Sequence, residues 1–232
     1  MSVDKLFEQS ACPTADKLAQ FPKYVRRQEL ARFLCRFEIF KRQLRIKGSV
    51  VECGVHHGGG VMTWAQISAI LEPYNYHRKI IGFDTFQGFP TVAAEDGHGE
   101  HARVGAFGEG YDVHAELTRS IAEFDENRFL NNKSKIELVR GDATQTIPKY
   151  LQENQHLLIS LLYLDFDIYQ PTAVALTHLL PRIPKGGIVA FDEVNNSDWP
   201  GETLALLEKL ELRHHRLECL EFEPNISFIQ ID

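Results

Sequence analysis

The sequence predicts an α/β protein built on a doubly wound, Rossmann-like sheet, mostly parallel, with an antiparallel C-terminal hairpin strand. Three observations predict it. Short apolar runs alternate with stretches of helical period from Ser49 onward. The first run opens into a glycine-rich turn, Gly54 and Gly58 to Gly60, directly before a helical stretch. The runs also close on carboxylates: Asp84, Asp142, Asp165 with Asp167, and Asp192 with Glu193. In a parallel sheet these ends share one edge, and open α/β sheets bind ligands just outside it.

A chain of 232 residues suits one large domain with a real core. The apolar share of 44% and charged share of 25% are those of an ordinary globular protein. A net charge of −7 argues against a nucleic-acid partner, which calls for a basic surface. No window has the length and apolarity of a membrane span, and the N-terminus lacks a signal-type apolar stretch. Cys12, Cys35, Cys53 and Cys219 are dispersed and form no CxxC pair, so free thiols and a cytoplasmic location are expected.

Residues 1–22 carry Pro13 and Pro22 and read as a loose arm with one short helix. Between Tyr24 and Lys47, Leu30, Phe33, Leu34, Phe37, Phe40 and Leu44 recur at helical spacing among Arg27, Glu29, Arg36, Lys41 and Arg45. This predicts an amphipathic helix whose aromatic stripe packs on the body or on a second copy. Residues 1–47 thus form an arm and helix, and 48–232 the main domain. Arg26 and Arg27, at the helix start, are either solvated or available to an anionic substrate group.

The first strand is Ser49 to Val55, and a helix runs from Val61 to Leu71. Lys79 to Asp84 is the second strand. Residues 91–113, rich in Gly, His and acids, lack periodicity and read as a solvated, lid-like loop. His98 and His101, among Glu95, Asp96 and Glu100, are better read as part of that loop than as metal ligands. A helix follows from Val113 to about Leu130, then a strand from Lys135 to Asp142 and a helix near Thr146 to Glu153. Ile159 to Leu164 is an unbroken apolar run of the buried-strand kind. If the strand continues, Asp165 and Asp167 point the same way. Thr172 to Leu180 reads as a helix, Gly186 to Glu193 as a strand and Glu202 to Leu212 as a helix. Leu217 to Phe222 and Ile226 to Ile231 form a hairpin turning at Glu223-Pro224-Asn225.

The glycine spacing is not GxGxxG, which weakens a dinucleotide reading. An acid two positions before Gly54 suits S-adenosylmethionine, whose amino group and sulfonium are cations and which carries no diphosphate. The acids split into two groups. Glu52 (in the turn region), Asp84 and Asp142 would hold a nucleoside-like cofactor, with Asp84 on its ribose. Asp165, Asp167, Asp192 and Glu193 are dense enough to bind a hard divalent cation. His56 and His57 read as turn residues lining the cofactor or as an auxiliary base.

Val51 to Val55 with Gly58 to Gly60, Gly82 to Pro90, Gly141-Asp142, Leu164 to Tyr169 and Gly186 to Glu193, in this order and spacing, resemble the macrocin O-methyltransferase (TylF) family. The resemblance runs from about Tyr24 to Glu202. Phe21 to Arg27 and Trp199 to Thr203 look most like members that methylate nucleotide-linked deoxysugars. It implies a methyltransferase sheet and an S-adenosylmethionine-dependent O-methyltransferase using a divalent metal, magnesium first. Cofactor contacts are expected at Glu52, Gly54, Val55, Gly59, Gly60, Asp84, Thr85, Phe86, Asp142, Ala143 and Asp165. The metal ligands would be Asp165, Asp192 and Glu193, and the general base Asp167. Phe166 and Glu193 stand where members commonly have Gly and Asp.

An ordinary carboxylate near pKa 4 is about 12 units below an unassisted hydroxyl, roughly 16 kcal/mol. A metal that polarises the hydroxyl narrows that gap, and proton removal concerted with methyl transfer supplies the remainder. The acceptor expected first is a nucleotide-linked 6-deoxyhexose, with Arg26 or Arg27 on its diphosphate. A sugar of a finished natural product or a polysaccharide is the alternative acceptor. A dehydrogenase using NAD, a phosphatase of the haloacid-dehalogenase type and a non-catalytic cofactor-binding protein are the competing classes. A homo-oligomer is expected from the aromatic stripe.

Overall fold

The computed structural model describes residues 2–97, 99 and 101–232; His98 and Glu100 of the loop reading lie outside the described residues. Fifteen elements of regular α or β structure follow along the chain. They are α1 (Val3–Gln9), α2 (Thr14–Ala19), α3 (Arg27–Gln43), β1 (Ser49–Cys53), α4 (Gly59–Leu71), β2 (Ile80–Asp84), α5 (Val113–Glu126) and β3 (Ile136–Arg140). Then come α6 (Ala143–Glu153), β4 (Ile159–Leu164), α7 (Tyr169–Leu179), β5 (Ile188–Phe191), α8 (Pro200–Lys209), β6 (Glu218–Leu220) and β7 (Glu223–Gln230).

One seven-stranded sheet has the order β3-β2-β1-β4-β5-β7-β6. The first five of these strands are mutually parallel, and β7 runs antiparallel to both β5 and β6. β1, β4 and β5 are buried along their whole length, which is why their sequences are apolar without alternation. Helices cover both faces. Cys35, Ile39 and Phe40 of α3 pack with Trp64 of α4 and Leu117 and Phe124 of α5 on one side. Ile147 of α6, Ala175 and Leu176 of α7 and Leu206 of α8 pack on the other.

Four expectations are corrected. The N-terminal arm holds two helices rather than one, and Pro13 sits at the start of the second, where a missing N–H costs nothing. The buried face of α3 is Ala31, Cys35, Arg36, Ile39, Phe40 and Gln43, so the stripe read from sequence is rotated and Phe33 and Leu34 are exposed. Arg36 disguised that face, because a charged residue there is buried by pairing and stacking instead of being solvated. The hairpin turns at Glu221-Phe222, and Pro224 lies within β7, next to a register shift at Cys219/Leu220. The loop of 91–113 is anchored: Asp96 is buried and accepts hydrogen bonds from Ala93 N (2.7 Å) and Tyr169 N (2.5 Å).

At the sheet edge remote from the carboxylates, Arg78 ties α3 to the strands. Its guanidinium donates to Gln43 Oε1 (2.5 Å), Ser160 Oγ and the carbonyls of Gly48 (2.9 Å), Leu44 (3.2 Å) and Ile46 (3.0 Å), and pairs with Glu72 (2.7 Å). The boundary at 47/48 therefore falls inside one packed body.

Candidate functional site

The parallel strands bring their C-terminal ends to one edge, and the chain order turns between β1 and β4. Gly54 leaves β1 with φ +92°, and a Cβ there would collide with the backbone carbonyl of Asp165. Only glycine lets the turn and the end of β4 approach so closely. Gly58, also left-handed, caps α4. Around Gly59 a Cβ would meet nothing within 4 Å, so the turn is open on that side. Gly60 stands over the carboxylate of Glu52, where a methyl group would not fit.

Glu52 is inside β1 and 1% exposed, not in the turn region as the sequence suggested. Burial pushes its carboxyl up to about 7, with Arg36 acting in the opposite sense. Its Oε2 has no hydrogen-bond partner. Asp84 closes the turn from the other side. Its carboxylate accepts from Val55 N (2.7 Å), His56 N (2.8 Å) and Phe86 N (2.6 Å). Asp142 caps α6 through Thr144 N (2.9 Å) and Thr144 Oγ1 (2.8 Å), directly before the buried Ala143. Thr85 Oγ1 donates to Gly88 O (2.7 Å) and holds the next turn. A carboxylate offers about four lone-pair sites, so these backbone and hydroxyl bonds do not exhaust Asp84 or Asp142 as acceptors.

β4 ends at Leu164, so the aspartate pair lies on a loop and strand alternation does not orient it. Asp165 N still donates to Cys53 O (2.8 Å), while Asp167 takes a left-handed φ of +61°. Such a backbone at a non-glycine residue costs energy and is held by its surroundings. Burial, then Asp192 and Asp167, raise the Asp165 carboxyl well above its ordinary range. Burial, then Asp192 and Glu193, push Asp167 up to about 7. Glu193 is also raised, chiefly by burial, and accepts from Asn196 Nδ2 (2.5 Å).

A sequence profile of the Macrocin-O-methyltransferase (TylF) family matches residues 28–205. The chain belongs to this family. Two solved structures named for CalS11 match it closely. "Calicheamicin Methyltransferase" has a TM-score of 0.95 at 35% identity, covering 98% of this chain and 89% of that one. The apo form, "TDP-rhamnose 3'-o-methyltransferase", has a TM-score of 0.86 at 32% identity over 98% and 91%. Mycinamicin III 3''-O-methyltransferase of Micromonospora griseorubida is 28% identical over 64% of this chain and 56% of its own. The chain thus spans just over half the length of the curated relatives it matches.

Within this TylF-family site, sequence reasoning missed four residues. Arg32 of α3 is hydrogen-bonded to Asp192 Oδ1, which also accepts from Tyr163 OH (2.6 Å). Burial opposes the charge on Arg32, but Asp192 outweighs it and holds the guanidinium firmly protonated. Arg36, one helical turn on, lies 3.8 Å from Asp165 Oδ2 and 4.9 Å over the Tyr163 ring. Glu202 Oε1 accepts from Asp192 N (3.1 Å). Burial, then Asp192, raise the Glu202 carboxyl well above its ordinary range. The spacing of Arg32 and Arg36, four apart on one helix, was the available signal. Trp199, singled out in the sequence, packs on Phe89 (5.9 Å) and Phe107 (5.9 Å). Gly201 leaves room for Asp96.

The glycine turn fits S-adenosylmethionine: it is open at Gly59, backed by acids, and has an unpartnered carboxylate oxygen beneath it. The expected metal set does not fit in the same way. Among the described residues, ligand atoms of Asp165, Asp192 and Glu193 are not gathered within 4.8 Å of one another. Arg32 and Tyr163 already occupy Oδ1 of Asp192. The cation beside these carboxylates is a guanidinium.

Proposed function

We propose that the protein is an S-adenosylmethionine-dependent O-methyltransferase acting on a sugar hydroxyl, first a nucleotide-linked 6-deoxyhexose. The observation that carries this reading is Asp167. It is a strained, half-buried carboxyl with a pKa near 7, on the same rim as the open glycine turn. When bound, S-adenosylmethionine supplies an electrophilic methyl that the acceptor oxygen takes as the carbon–sulfur bond breaks. Asp167 receives the proton of that hydroxyl. A rise from about 4 to about 7 shrinks the mismatch with a hydroxyl from about 12 units to about 9, or some 4 kcal/mol. The remaining gap, roughly 12 kcal/mol, forbids a free alkoxide, so the proton leaves as the new bond forms.

Glu52, Gly54, Val55, Gly59, Gly60, Asp84, Thr85, Phe86, Asp142, Ala143 and Asp165 would line the cofactor. Arg32, 34% exposed at its side chain, supplies positive charge beside the acceptor. Arg26, expected as a diphosphate contact, pairs instead with Glu29 on the surface. The names of the CalS11 structures and of the mycinamicin enzyme support a deoxysugar acceptor of natural-product biosynthesis, on a nucleotide or on a finished glycoside. Magnesium at Asp192 Oδ1 would compete with Arg32. The exposed Leu18, Phe21, Phe33 and Leu34 support a homo-oligomer, checked by light scattering. A cytoplasmic location is supported by the four unpaired cysteines. No described helix is long and apolar enough to cross a membrane.

The test is a labelled-methyl transfer screen over nucleotide-linked deoxysugars and glycosides, with magnesium and with chelator. Transfer to a sugar oxygen supports the reading; cofactor binding with no transfer to any sugar contradicts it. Turnover that survives chelator supports Arg32 as the resident cation, and loss of turnover restored by magnesium but not by zinc supports a metal in its place.

A further inference from the structure

Beyond the carboxylate rim, one group of side chains has the composition and spacing of a metal site. His56 and His57 lie within the glycine turn, and Glu109 belongs to the long segment between β2 and α5. One ligand atom from each lies within 4.8 Å of the others. His57 Nε2 is 3.2 Å and His56 Nε2 3.5 Å from Glu109 Oε1. A tetrahedral zinc ion with ligands at about 2.0–2.1 Å sets neighbouring ligand atoms about 3.3–3.4 Å apart. The two measured separations bracket that edge.

Two further features point the same way. His57 Nδ1 lies 2.8 Å from Tyr111 OH, so the other ring nitrogen has a partner of its own. That contact orients the ring and leaves Nε2 directed at Glu109, as in metal-binding histidines whose second nitrogen is hydrogen-bonded. His56 holds a left-handed φ of +48°, kept there by Asp84 accepting its backbone N–H. Phe107, two residues before Glu109, packs its ring 6.0 Å from His56 and 5.9 Å from Trp199, which brings the loop back to the turn.

We propose that His56, His57 and Glu109 form a binding site for a divalent transition metal of the zinc class, which clips the 85–112 loop onto the glycine turn. Two imidazoles and one carboxylate favour zinc over magnesium, which prefers oxygen ligands and retains its waters. The fourth position faces solvent, since both histidines are about half exposed. The site adjoins the glycine turn and uses none of the rim carboxylates as a ligand, and neither readout below involves methyl transfer or the cofactor.

Tag-free full-length protein is titrated with zinc against a chromophoric zinc indicator, and limited trypsin cleavage after the exposed Arg103 is timed with and without zinc. One zinc per chain is expected. His57→Ala and Glu109→Gln should weaken binding at least tenfold, and Tyr111→Phe roughly tenfold through loss of the supporting hydrogen bond. Zinc should slow cleavage at Arg103 several-fold in the parent chain and leave His57→Ala unchanged. No zinc uptake, uptake unaltered by these substitutions, or cleavage indifferent to zinc would each overturn the clip. All substitutions are at the surface, and matching unfolding curves confirm that the variants are folded.

Discussion

At Glu202 the carboxyl is buried without exposure, accepts one backbone hydrogen bond through Oε1 and leaves Oε2 unpartnered. Burial, then Asp192, push this carboxyl toward its neutral form. Glu202→Gln keeps the shape and an oxygen acceptor for Asp192 N and should leave the melting temperature within a few degrees. Glu202→Ala removes the acceptor of Asp192 N and opens a cavity, and should cost on the order of 2–3 kcal/mol in chemical denaturation. At Asp167 the expectation concerns rate. The base works only when ionised, so kcat/KM should rise with pH and level off above about 7. A profile flat from pH 5.5 to 8.5 would contradict the role.

Among the elements, α3 has the largest part in shaping the site that the sequence did not reveal. It delivers Arg32 and Arg36 to the carboxylates at one end and accepts Arg78 through Gln43, Leu44 and its trailing turn at the other. Arg78→Met forfeits at least five hydrogen bonds and leaves buried acceptors bare. It should lower stability by about 3–5 kcal/mol, read as a fall of roughly 6–15 °C in melting temperature. The strands and their order were legible because fully covered parallel strands impose unbroken apolar runs and end in a common row. The acids Asp84, Asp142, Asp165, Asp167, Asp192 and Glu193 could be placed on that row from chain order alone. Arg32, Tyr163 and Glu202 could not. Arg32 meets a partner 160 residues away, and pairing over that span has no sequence period. The anchor of the lid was missed because Asp96, one acid among many there, gives no sign that it is buried under Tyr169 N.

Across the whole molecule, several acids on one rim have their pKa raised by burial and by one another, and this links stability to pH. Asp167 and Glu52 sit at about 7 in the folded chain, against about 4 when unfolded. Asp165 and Glu202 are raised in the same direction. The unfolded chain releases these protons first, so their contribution is fully present below about pH 4 and is lost as pH rises through about 7. The cofactor-free protein should therefore melt roughly 5–10 °C lower at pH 8 than at pH 6 in scanning calorimetry. Equal melting at both would mean the rim is already neutralised. Methyl transfer itself should depend on Asp167, and a single comparison tests that most directly: single-turnover transfer of labelled methyl to a nucleotide-linked deoxysugar by the parent chain and by Asp167→Asn, each saturated with S-adenosylmethionine. The substitution should slow transfer by about 10²–10⁴-fold with cofactor affinity unchanged. Transfer at the parental rate would contradict the assignment.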